Sequence, residues 1–381
     1  MKLFGRKQES MRIAIRGMGT ALPSGSVEQT DAAHAADRLR RWSDDAAADK
    51  KAQLLSILYR RSGVRKRHCV VLEGEQGDPL TRQSFYTPAK SLEDRGPTTK
   101  ARMDFYQRSA PELAEQACLS ALRDAGSKAS EITHLVTVSC SGFGAPGFDL
   151  ELYPRLGLSP STSRTHVGFM GCHGFLNGLR TARAYAVSEP KAKVLVCAVE
   201  LCSLHHQYTD EPQQVVANSL FADGAAAAIL EMQDDEQSPY AYRQLAANGS
   251  FRIPESEAMM TWKIGDHGFQ MSLSPQVPEL IQRELKPWLQ GWLAPYGLSC
   301  EQIAHWAVHP GGPRILSATA EALGLPESAT RISTEVLREC GNMSSPTVMF
   351  ILDRMRREGM GPPLVALAFG PGLVAEAALF L

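Results

Sequence analysis

The sequence predicts an α/β protein in which one pattern of helices and strands occurs twice. From residue 109 onwards, segments with helical apolar spacing alternate with short, apolar, strand-like runs. The order helix, strand, helix, strand, strand is completed near residue 235 and then returns. Of the 381 residues, 44% are hydrophobic, which is enough for a large core. We therefore expect two similar halves, residues 11–235 and 236–381, behind a tail of residues 1–10.

The N-terminal elements are predicted from apolar spacing and from helix-capping residues. Residues 11–22 have the composition of a strand that enters a turn, and residues 28–62 that of a polar helix. Residues 70–105 are rich in Gly, Pro and charge, which predicts a loop. The run Ser109-Ala-Pro-Glu112 has the form of a capping box, so we expect a helix from there to Gly126.

Each half is predicted to contain a strand, then a helix, then two further strands. In the first half this helix starts near Cys172, and in the second half it starts at Ser345-Pro346, a good N-cap and N1 pair. A duplication would bring the two helix N-termini together, one carrying Cys172 and the other preceded by Asn342. The other predicted elements are strands at 134–141, 193–201, 224–232, 305–309, 364–369 and 373–380, and a helix at 277–294.

Charge and composition exclude several classes of function. A net charge of −1 provides no field that would attract nucleic acid or an acidic membrane. No apolar run reaches the ~18 residues of a membrane span, and the polar, basic residues 1–10 lack the apolar stretch of a signal peptide. Eight cysteines in a chain of this length form no dense framework, so we expect free thiols and a cytoplasmic location.

A cysteine between glycines is the first candidate for chemistry. Cys172 lies in the segment Gly168 to Arg180, at the start of a predicted helix that stops at Pro190. The helix has an apolar stripe formed by Phe175, Leu176, Leu179, Ala182 and Ala186. The helix dipole and free N–H groups at such a position lower a thiol pKa and favour a nucleophile. A small buried cysteine in a tight helix start is the alternative, and this segment alone does not decide between them.

A histidine and an asparagine complete a candidate constellation. His309 ends a strand in Trp-Ala-Val-His-Pro-Gly-Gly-Pro, and Asn342 lies just ahead of a helix in Cys-Gly-Asn-Met-Ser-Ser-Pro. An imidazole can serve as the base for a thiol, and an amide NH₂ can donate to a developing oxyanion. Taken singly, the two residues also suit a capped structural histidine and a turn. Their glycine-rich settings at the ends of core elements together favour catalysis.

A cysteine protease is a weaker interpretation of Cys172, His309 and Asn342. Papain-like proteases also place Cys, His and Asn in this order, and the 137 residues between Cys172 and His309 fit them. Their Cys-Gly-Ser-Cys-Trp-type setting is absent, however.

Two other motifs are also weak signals. Gly142 to Gly147 formally matches the dinucleotide fingerprint, but Pro146 falls where a helix should begin and no acidic residue follows some twenty positions on. Cys197, Cys202, His205 and His206 lack a usual zinc spacing, so we expect no metal site.

Several short motifs together resemble one known family. Gly-Cys-His-Gly at 171–174, His-Pro-Gly-Gly-Pro at 309–313 and Gly-Asn-Met-Ser-Ser at 341–345 are similar to signatures of type III polyketide synthases, the chalcone-synthase-like enzymes. The loop Phe369, Gly370, Pro371, Gly372 resembles that family's cyclisation-pocket loop, and Leu220 to Gly224 another core segment. The resemblance extends from about residue 11 to the C-terminus. It implies a thiolase-like, five-layered αβαβα fold and a homodimer.

The resemblance also implies roles for the constellation. Cys172 would accept an acyl group from a starter acyl-CoA, with His309 holding it as a thiolate. His309 and Asn342 would bind the thioester oxygen of malonyl-CoA, whose decarboxylation gives the enolate that attacks the Cys172 thioester. Elongation would repeat on the one cysteine until the polyketide cyclises. The family needs no metal or redox cofactor, and CoA thioesters are the substrates.

Departures from the plant members of the family bear on the substrate. Their two gating phenylalanines are replaced by His206 and Met271, their interface-crossing methionine by Ala145, and a pocket threonine by Cys140. These changes imply a larger cavity, and hence a fatty acyl-CoA starter and an alkylpyrone or alkylresorcinol product. For CoA itself, the resemblance implies contacts at Arg61, Gly311 and Gly312, while Ile57 replaces a second basic residue.

Two further functions on the same scaffold stay open. A ketoacyl synthase III shares the Cys-His-Asn set but stops after one condensation on an acyl carrier protein. The Phe369 to Gly372 loop and the His-Pro-Gly-Gly-Pro run argue against it. A non-catalytic acyl- or CoA-binding protein is the alternative outside enzymes, and only a test for turnover separates it from a synthase.

Overall fold

The computed structural model describes residues 11–40, 46–234 and 244–381. The predicted N-terminal tail, residues 1–10, and the predicted division at residue 235 therefore lie outside the described residues.

The first sheet has five strands in the order β1-β7-β6-β4-β5. β7 pairs antiparallel with both β1 and β6, whereas β6, β4 and β5 run parallel. The apolar strands β4 and β6 are buried along nearly their whole length, as expected of parallel strands covered on both faces. The five strands are β1 (Met11–Ala21), β4 (His134–Ser139), β5 (Ser163–Gly168), β6 (Lys193–Leu201) and β7 (Asp223–Asp234).

The second sheet repeats this pairing pattern with four strands in the order β8-β13-β12-β11. β13 pairs antiparallel with both β8 and β12, and β11 runs parallel to β12. The order and directions match those of β1-β7-β6-β4, so the two sheets share one topology apart from β5. The four strands are β8 (Leu245–Arg252), β11 (His305–Val308), β12 (Leu364–Gly370) and β13 (Val374–Phe380).

Helices pack on both faces of each sheet and make five layers. α5 and α10 are buried in one core between the two sheets, while α3 and α4 cover the outer face of the first sheet. α7 and α8 cover the outer face of the second sheet. This is an αβαβα arrangement. The helices of these layers are α3 (Thr99–Ala125), α4 (Phe148–Leu156), α5 (Gly174–Ser188), α7 (Val277–Leu293), α8 (Pro313–Leu323) and α10 (Thr347–Arg357).

Smaller elements surround the region where the two halves meet. Two hairpins, β2 with β3 and β9 with β10, stand apart from the large sheets. No helix in the part of the chain that the structure describes is long and apolar enough to cross a membrane. The smaller elements are β2 (Ser26–Glu28), α1 (Gln29–Arg40), α2 (Ala46–Arg61), β3 (Lys66–His68), α6 (Pro212–Leu220), β9 (Met260–Gly265), β10 (Gly268–Leu273) and α9 (Arg331–Cys340).

The structure corrects two of the predicted boundaries. α3 begins at Thr99, capped by the Thr98 side chain, so the predicted capping box at Ser109 is wrong and Pro111 lies inside the helix. The predicted loop at 70–105 therefore ends several residues early. The predicted helix at 28–62 comprises β2 and two helices, α1 and α2. The stripe of α5, by contrast, is fully buried as predicted, from Phe175 to Ala186.

Candidate active site

Cys172 lies in a single 3₁₀ turn, residues Gly171–His173, that leads directly into α5. The turn requires glycine at Gly171, whose φ is +70° and where a Cβ would lie 2.4 Å from Cδ of Pro371. A Cβ at Gly370 would likewise collide with the His173 ring, at 2.3 Å. The loop that follows β12 therefore packs directly against the cysteine turn.

The structure brings Cys172, His309 and Asn342 to one buried cavity. His309 follows β11 immediately, and Asn342 lies two residues beyond the end of α9. The free volume at the centre of the cavity is only about 20 Å³, room for about one water molecule. The remaining lining residues are Gln213, Ala217, Leu220, Phe221, Met260, Met271, Leu273, Gly311, Ile315 and Phe369.

Backbone and side-chain hydrogen bonds hold Asn342 in place. Its N–H donates to the carbonyl of Leu220 and its carbonyl accepts from the N–H of Ala222, both at 2.9 Å. Its side-chain Oδ1 accepts from the N–H of Ser344 at 2.8 Å. The polar side chains of Asn342 and Ser344 both act to lower the pKa of the Cys172 thiol. The thiol is therefore next to two polar groups.

The imidazole of His309 is buried and neutral. Desolvation, with a smaller effect from the nearby His173, lowers its pKa to about 3. Neither ring nitrogen has a hydrogen-bond partner among the described residues. An unpartnered nitrogen in a cavity shared with a thiol is available to a substrate or to the thiol proton.

The thiol pKa is raised, in contrast to the sequence-based expectation. Burial raises the pKa of Cys172 to about 11 and the charge of Glu200 adds to the rise, while hydrogen bonds from Ser344 and Asn342 oppose it. Desolvation at a buried helix start thus outweighs the helix dipole. Cys172 and His309 therefore form a neutral thiol–imidazole pair in the unliganded protein.

Glu200 is a buried polar residue that the sequence analysis missed. Its carboxylate accepts from the N–H groups of Cys140 and Ser141, both at 3.0 Å, and from the hydroxyls of Ser141 and Ser345, both at 2.6 Å. Burial raises its pKa, and these hydrogen bonds act against the rise. A lone glutamate within the apolar strand at 193–201 was the available signal. Glu200 joins the segment after β4 to the turn that precedes α10.

The predicted pocket residues divide between the cavity and its surroundings. Met271, Phe369 and Gly311 line the cavity, whereas Gly370, Pro371, Gly372 and Gly312 support the loops beside it. Cys140 lies behind it, with Sγ 3.4 Å from the Ser344 hydroxyl. Arg61 is exposed at the end of α2.

The structure does not bring two of the predicted residues to the cavity. Ala145 lies on the exposed loop before Pro146. His206 lines a different cavity, because the turn after β6 directs its ring edge-on towards Tyr86, with 5.7 Å between ring centroids. Phe221 faces the Cys172 cavity instead, from within the Leu220 to Gly224 motif. The motif resembles a core segment of the family, but its phenylalanine is not among the predicted pocket residues.

The second cavity adjoins the first behind a shared wall. It has a volume of about 110 Å³ and shares Ala217 and Phe221 with the Cys172 cavity. Most of its surface is apolar, and α1 and residues 69–80 both contribute to its lining. Apolar lining residues include Val27, Ala32, Ala36, Leu39, Val71, Leu72 and Leu80.

Comparison with known proteins identifies the family. A model of chalcone and stilbene synthases matches the chain in two parts, the N-terminal domain over residues 4–234 and the C-terminal domain over residues 244–381. The chain belongs to the type III polyketide synthases. This synthase is 32% identical to the alpha-pyrone synthesis polyketide synthase-like Pks18 of Mycobacterium tuberculosis, over 96% of this chain and 90% of that protein. It is also 32% identical to 1,3,6,8-tetrahydroxynaphthalene synthase of Streptomyces peucetius, over 95% of this chain and 91% of that protein.

Solved structures of related enzymes share the fold. PKS-I from the brown alga Ectocarpus siliculosus superposes with a TM-score of 0.89 at 30% identity, over 98% of this synthase and 99% of that chain. With Probable polyketide synthase 1 of Dictyostelium discoideum the synthase is 30% identical over 95% of its own length, but it spans only 11% of that protein. The predicted thiolase-like αβαβα fold is thus confirmed, and the chain is an acyltransferase of the type III polyketide synthase family.

Proposed function

We propose that this type III polyketide synthase condenses malonyl-CoA with a starter acyl group held on Cys172, using His309 and Asn342. The observation that carries the proposal is the convergence of these three side chains on one cavity from distant parts of the chain. The polar side chains of Asn342 and Ser344, which lower the pKa of the thiol, support it. Each side chain has the chemistry that one step requires.

Loading of the starter begins with proton transfer from the Cys172 thiol to His309. The neutral imidazole has a free nitrogen for this proton. The thiolate then attacks the carbonyl carbon of the acyl-CoA thioester, and the bond to the CoA sulfur breaks. The imidazolium returns its proton to the leaving CoA thiolate. Stabilisation of the attacking thiolate comes from Asn342 and Ser344, whose hydrogen bonds lower the thiol pKa.

Extension begins when malonyl-CoA enters the cavity and loses carbon dioxide. The electron pair of the broken carbon–carbon bond becomes an enolate, whose negative charge rests on the thioester oxygen. The Asn342 NH₂ and an N–H of His309 donate to that oxygen in a site that excludes bulk water. The enolate carbon attacks the acyl thioester and releases the Cys172 thiolate. The lengthened chain is now a CoA thioester, and the Cys172 thiolate attacks its carbonyl carbon and displaces CoA for the next cycle. The finished chain cyclises.

A fatty acyl starter and an alkylpyrone or alkylresorcinol product suit the second cavity. The space beside Cys172 is too small for an alkyl chain, whereas the cavity behind Ala217 and Phe221 is larger and mainly apolar. Burial of each CH₂ group there would contribute about 0.8 kcal/mol to binding. Pks18, which carries alpha-pyrone synthesis in its name, is among the relatives.

The protein would act as a cytoplasmic homodimer on CoA thioesters, without a metal or redox cofactor. Exposed apolar side chains at one place support self-association, since Phe143, Phe169 and Met170 are each about 40–50% exposed and the two phenylalanine rings are 5.9 Å apart. For CoA, the exposed Arg61 lies near the turn where Gly63 packs on Pro313, the residue after Gly312.

Product analysis tests the proposal. Purified protein is incubated with malonyl-CoA and a mixed pool of acyl-CoAs, and the products are identified by mass spectrometry for wild type, Cys172→Ala and the control Cys300→Ala. We expect multiply extended, cyclised products from wild type and control, and none from Cys172→Ala. Products extended only once, or a preference for short or aromatic starters, would contradict the proposed substrate. Turnover by Cys172→Ala equal to wild type would contradict the mechanism.

A further inference from the structure

Side chains, and no strand among the described residues, satisfy the outer edge of β10. Three of them accept its N–H groups, and the amide of Gln207 donates to the carbonyl of Phe269 at 3.4 Å. One edge of β10 pairs with β9, in register from Gly268 opposite Gly265 to Leu273 opposite Met260. On the other edge, the N–H of Phe269 donates to Nδ1 of His205 at 3.0 Å. The next two outward N–H groups donate to glutamine side chains of α6. Met271 donates to Oε1 of Gln214 and Leu273 to Oε1 of Gln213, both at 3.2 Å.

This edge forms one wall of the Cys172 cavity. Met271 and Leu273 line the cavity, and so does Gln213 itself. Ala217 and Leu220, one to two turns further along α6, line it from the other side. The helix that supplies one wall therefore also holds the opposite wall in place, through two hydrogen bonds.

The three bonds to the N–H groups differ in burial. The bond at Phe269 is buried, whereas the bond at Leu273 is exposed to solvent. His205 is buried, and its Nε2 donates to the carbonyl of Ser141 at 2.6 Å, which leaves Nδ1 as the acceptor for Phe269. Gln214 is 9% exposed, and Gln213 is exposed to solvent. Buried hydrogen bonds cost more to break than solvated ones, so the hairpin would separate first at Leu273.

We propose that Gln213 and Gln214 are positioning residues that hold the β9–β10 hairpin against the Cys172 cavity and so set the size of acyl group that reaches the thiol. The inference rests on the proposed function, because it assigns acyl groups to this cavity. The walls leave only about 20 Å³ between them, so every loaded intermediate requires them to separate. Among the described residues β10 has a strand partner on one side only, so side-chain bonds hold its other edge against the cavity.

Alkylation of Cys172 tests the proposal without any turnover. Iodoacetamide and its N-decyl derivative react with purified protein, and peptide mass spectrometry gives the rate at Cys172 for each reagent. We expect Gln213→Leu and Gln214→Leu to raise the ratio of the decyl rate to the small-reagent rate about five- to tenfold, the factor expected for one lost hydrogen bond. Gln213→Glu keeps an acceptor oxygen at an exposed position and should restore the wild-type ratio.

A matched control and a second readout complete the experiment. Gln270→Leu changes an exposed glutamine of the same strand that accepts none of the three edge bonds, so its ratio should equal that of wild type. Amide hydrogen exchange at Met271 and Leu273 should accelerate in the two leucine variants and stay unchanged at Phe269. An unchanged alkylation ratio in both variants would overturn the proposal, as would an equal rise in Gln270→Leu. Wild-type protein that forms no polyketide would contradict the proposed function and leave the alkylation result standing.

Discussion

The backbone N–H of Ser344 donates to the side-chain oxygen of Asn342 across 2.8 Å. This bond determines which way the amide points, because an oxygen engaged by Ser344 leaves the NH₂ group to face the cavity. The hydroxyl of the same serine is 3.4 Å from Sγ of Cys140, and this serine also lowers the pKa of the Cys172 thiol. One turn of chain before α10 thus orients the Asn342 amide and lies beside the proposed nucleophile.

Asn342→Asp should remove the donor and keep the turn. A carboxylate oxygen still accepts the Ser344 N–H, but no NH₂ remains to stabilise the enolate, and the new charge opposes it. We expect condensation to fall by about 10²–10³-fold. Steady-state rates of product formation and of carbon dioxide release measure the effect, with thermal unfolding as the check on folding. Activity within tenfold of wild type would count against Asn342 as an oxyanion donor.

Gly171→Ala should destabilise the protein by more than the cost of placing alanine at a positive φ. Gly157 has a similar φ of +73°, and a Cβ added there would have no atom within 4 Å, so Gly157→Ala measures the backbone cost by itself, about 1–2 kcal/mol. At Gly171 a Cβ also meets Pro371 at 2.4 Å. Urea unfolding should show the larger loss of stability for Gly171→Ala, together with loss of activity. Equal losses in the two variants would contradict the close contact.

His309→Gln should reduce the sensitivity of the fold to acid. The pKa of His309 is about 3 in the folded protein and near 6.5 when unfolded, so below pH 6.5 the unfolded state binds the extra proton. Stability from this residue is complete above pH 6.5 and is lost as the pH falls towards 3. Between pH 7.5 and 5.0 that loss is about 2 kcal/mol. Between pH 7.5 and 5.0, the free energy of unfolding measured with urea should therefore fall by this much more in wild type than in the variant. An identical pH dependence would contradict the prediction.

Ala217→Phe should shift starter preference towards short acyl groups. Ala217 lines both cavities, and a phenyl ring there would obstruct the passage between them. We expect kcat/KM for dodecanoyl-CoA to fall at least tenfold relative to that for butyryl-CoA. Val216→Phe, at the neighbouring position that lines neither cavity, is the control. A parallel fall for both substrates would indicate general damage to the site rather than an acyl passage.

Glu200→Gln should destabilise the protein although it removes a buried charge. The carboxylate oxygens accept from two backbone N–H groups and three serine hydroxyls, so an amide NH₂ in place of one oxygen would face groups that now donate to it. A buried donor left without an acceptor costs about 1–3 kcal/mol. Urea unfolding at pH 7.5 should show a loss of this size, and a variant as stable as wild type would contradict it.

The sequence was most informative where a residue has a steric or chemical requirement. Short motifs can be found without knowledge of the fold, and they contain Gly171, His309 and Asn342. The apolar stripe of α5 follows from helical periodicity alone. Prediction was wrong where tertiary packing overrides a local signal. Ser109 to Glu112 is a plausible helix start, yet Thr98 caps the same helix eleven residues earlier. The partners of the β10 edge were not predicted. They are the side chains of His205, in the turn after β6, and of Gln213 and Gln214 in α6. No periodicity in the sequence indicates such a pairing.

The bare imidazole of His309 has one more consequence. A histidine normally has its tautomer chosen by whichever neighbour its second nitrogen bonds, and none of the described residues makes that choice here. The occupant of the cavity therefore selects the protonated nitrogen. In the proposed mechanism that occupant is the Cys172 thiol in one step, which gives a proton to the ring, and the enolate oxygen in another, which accepts a hydrogen bond from it. One ring can then serve as base and as donor with no rearrangement of the protein around it.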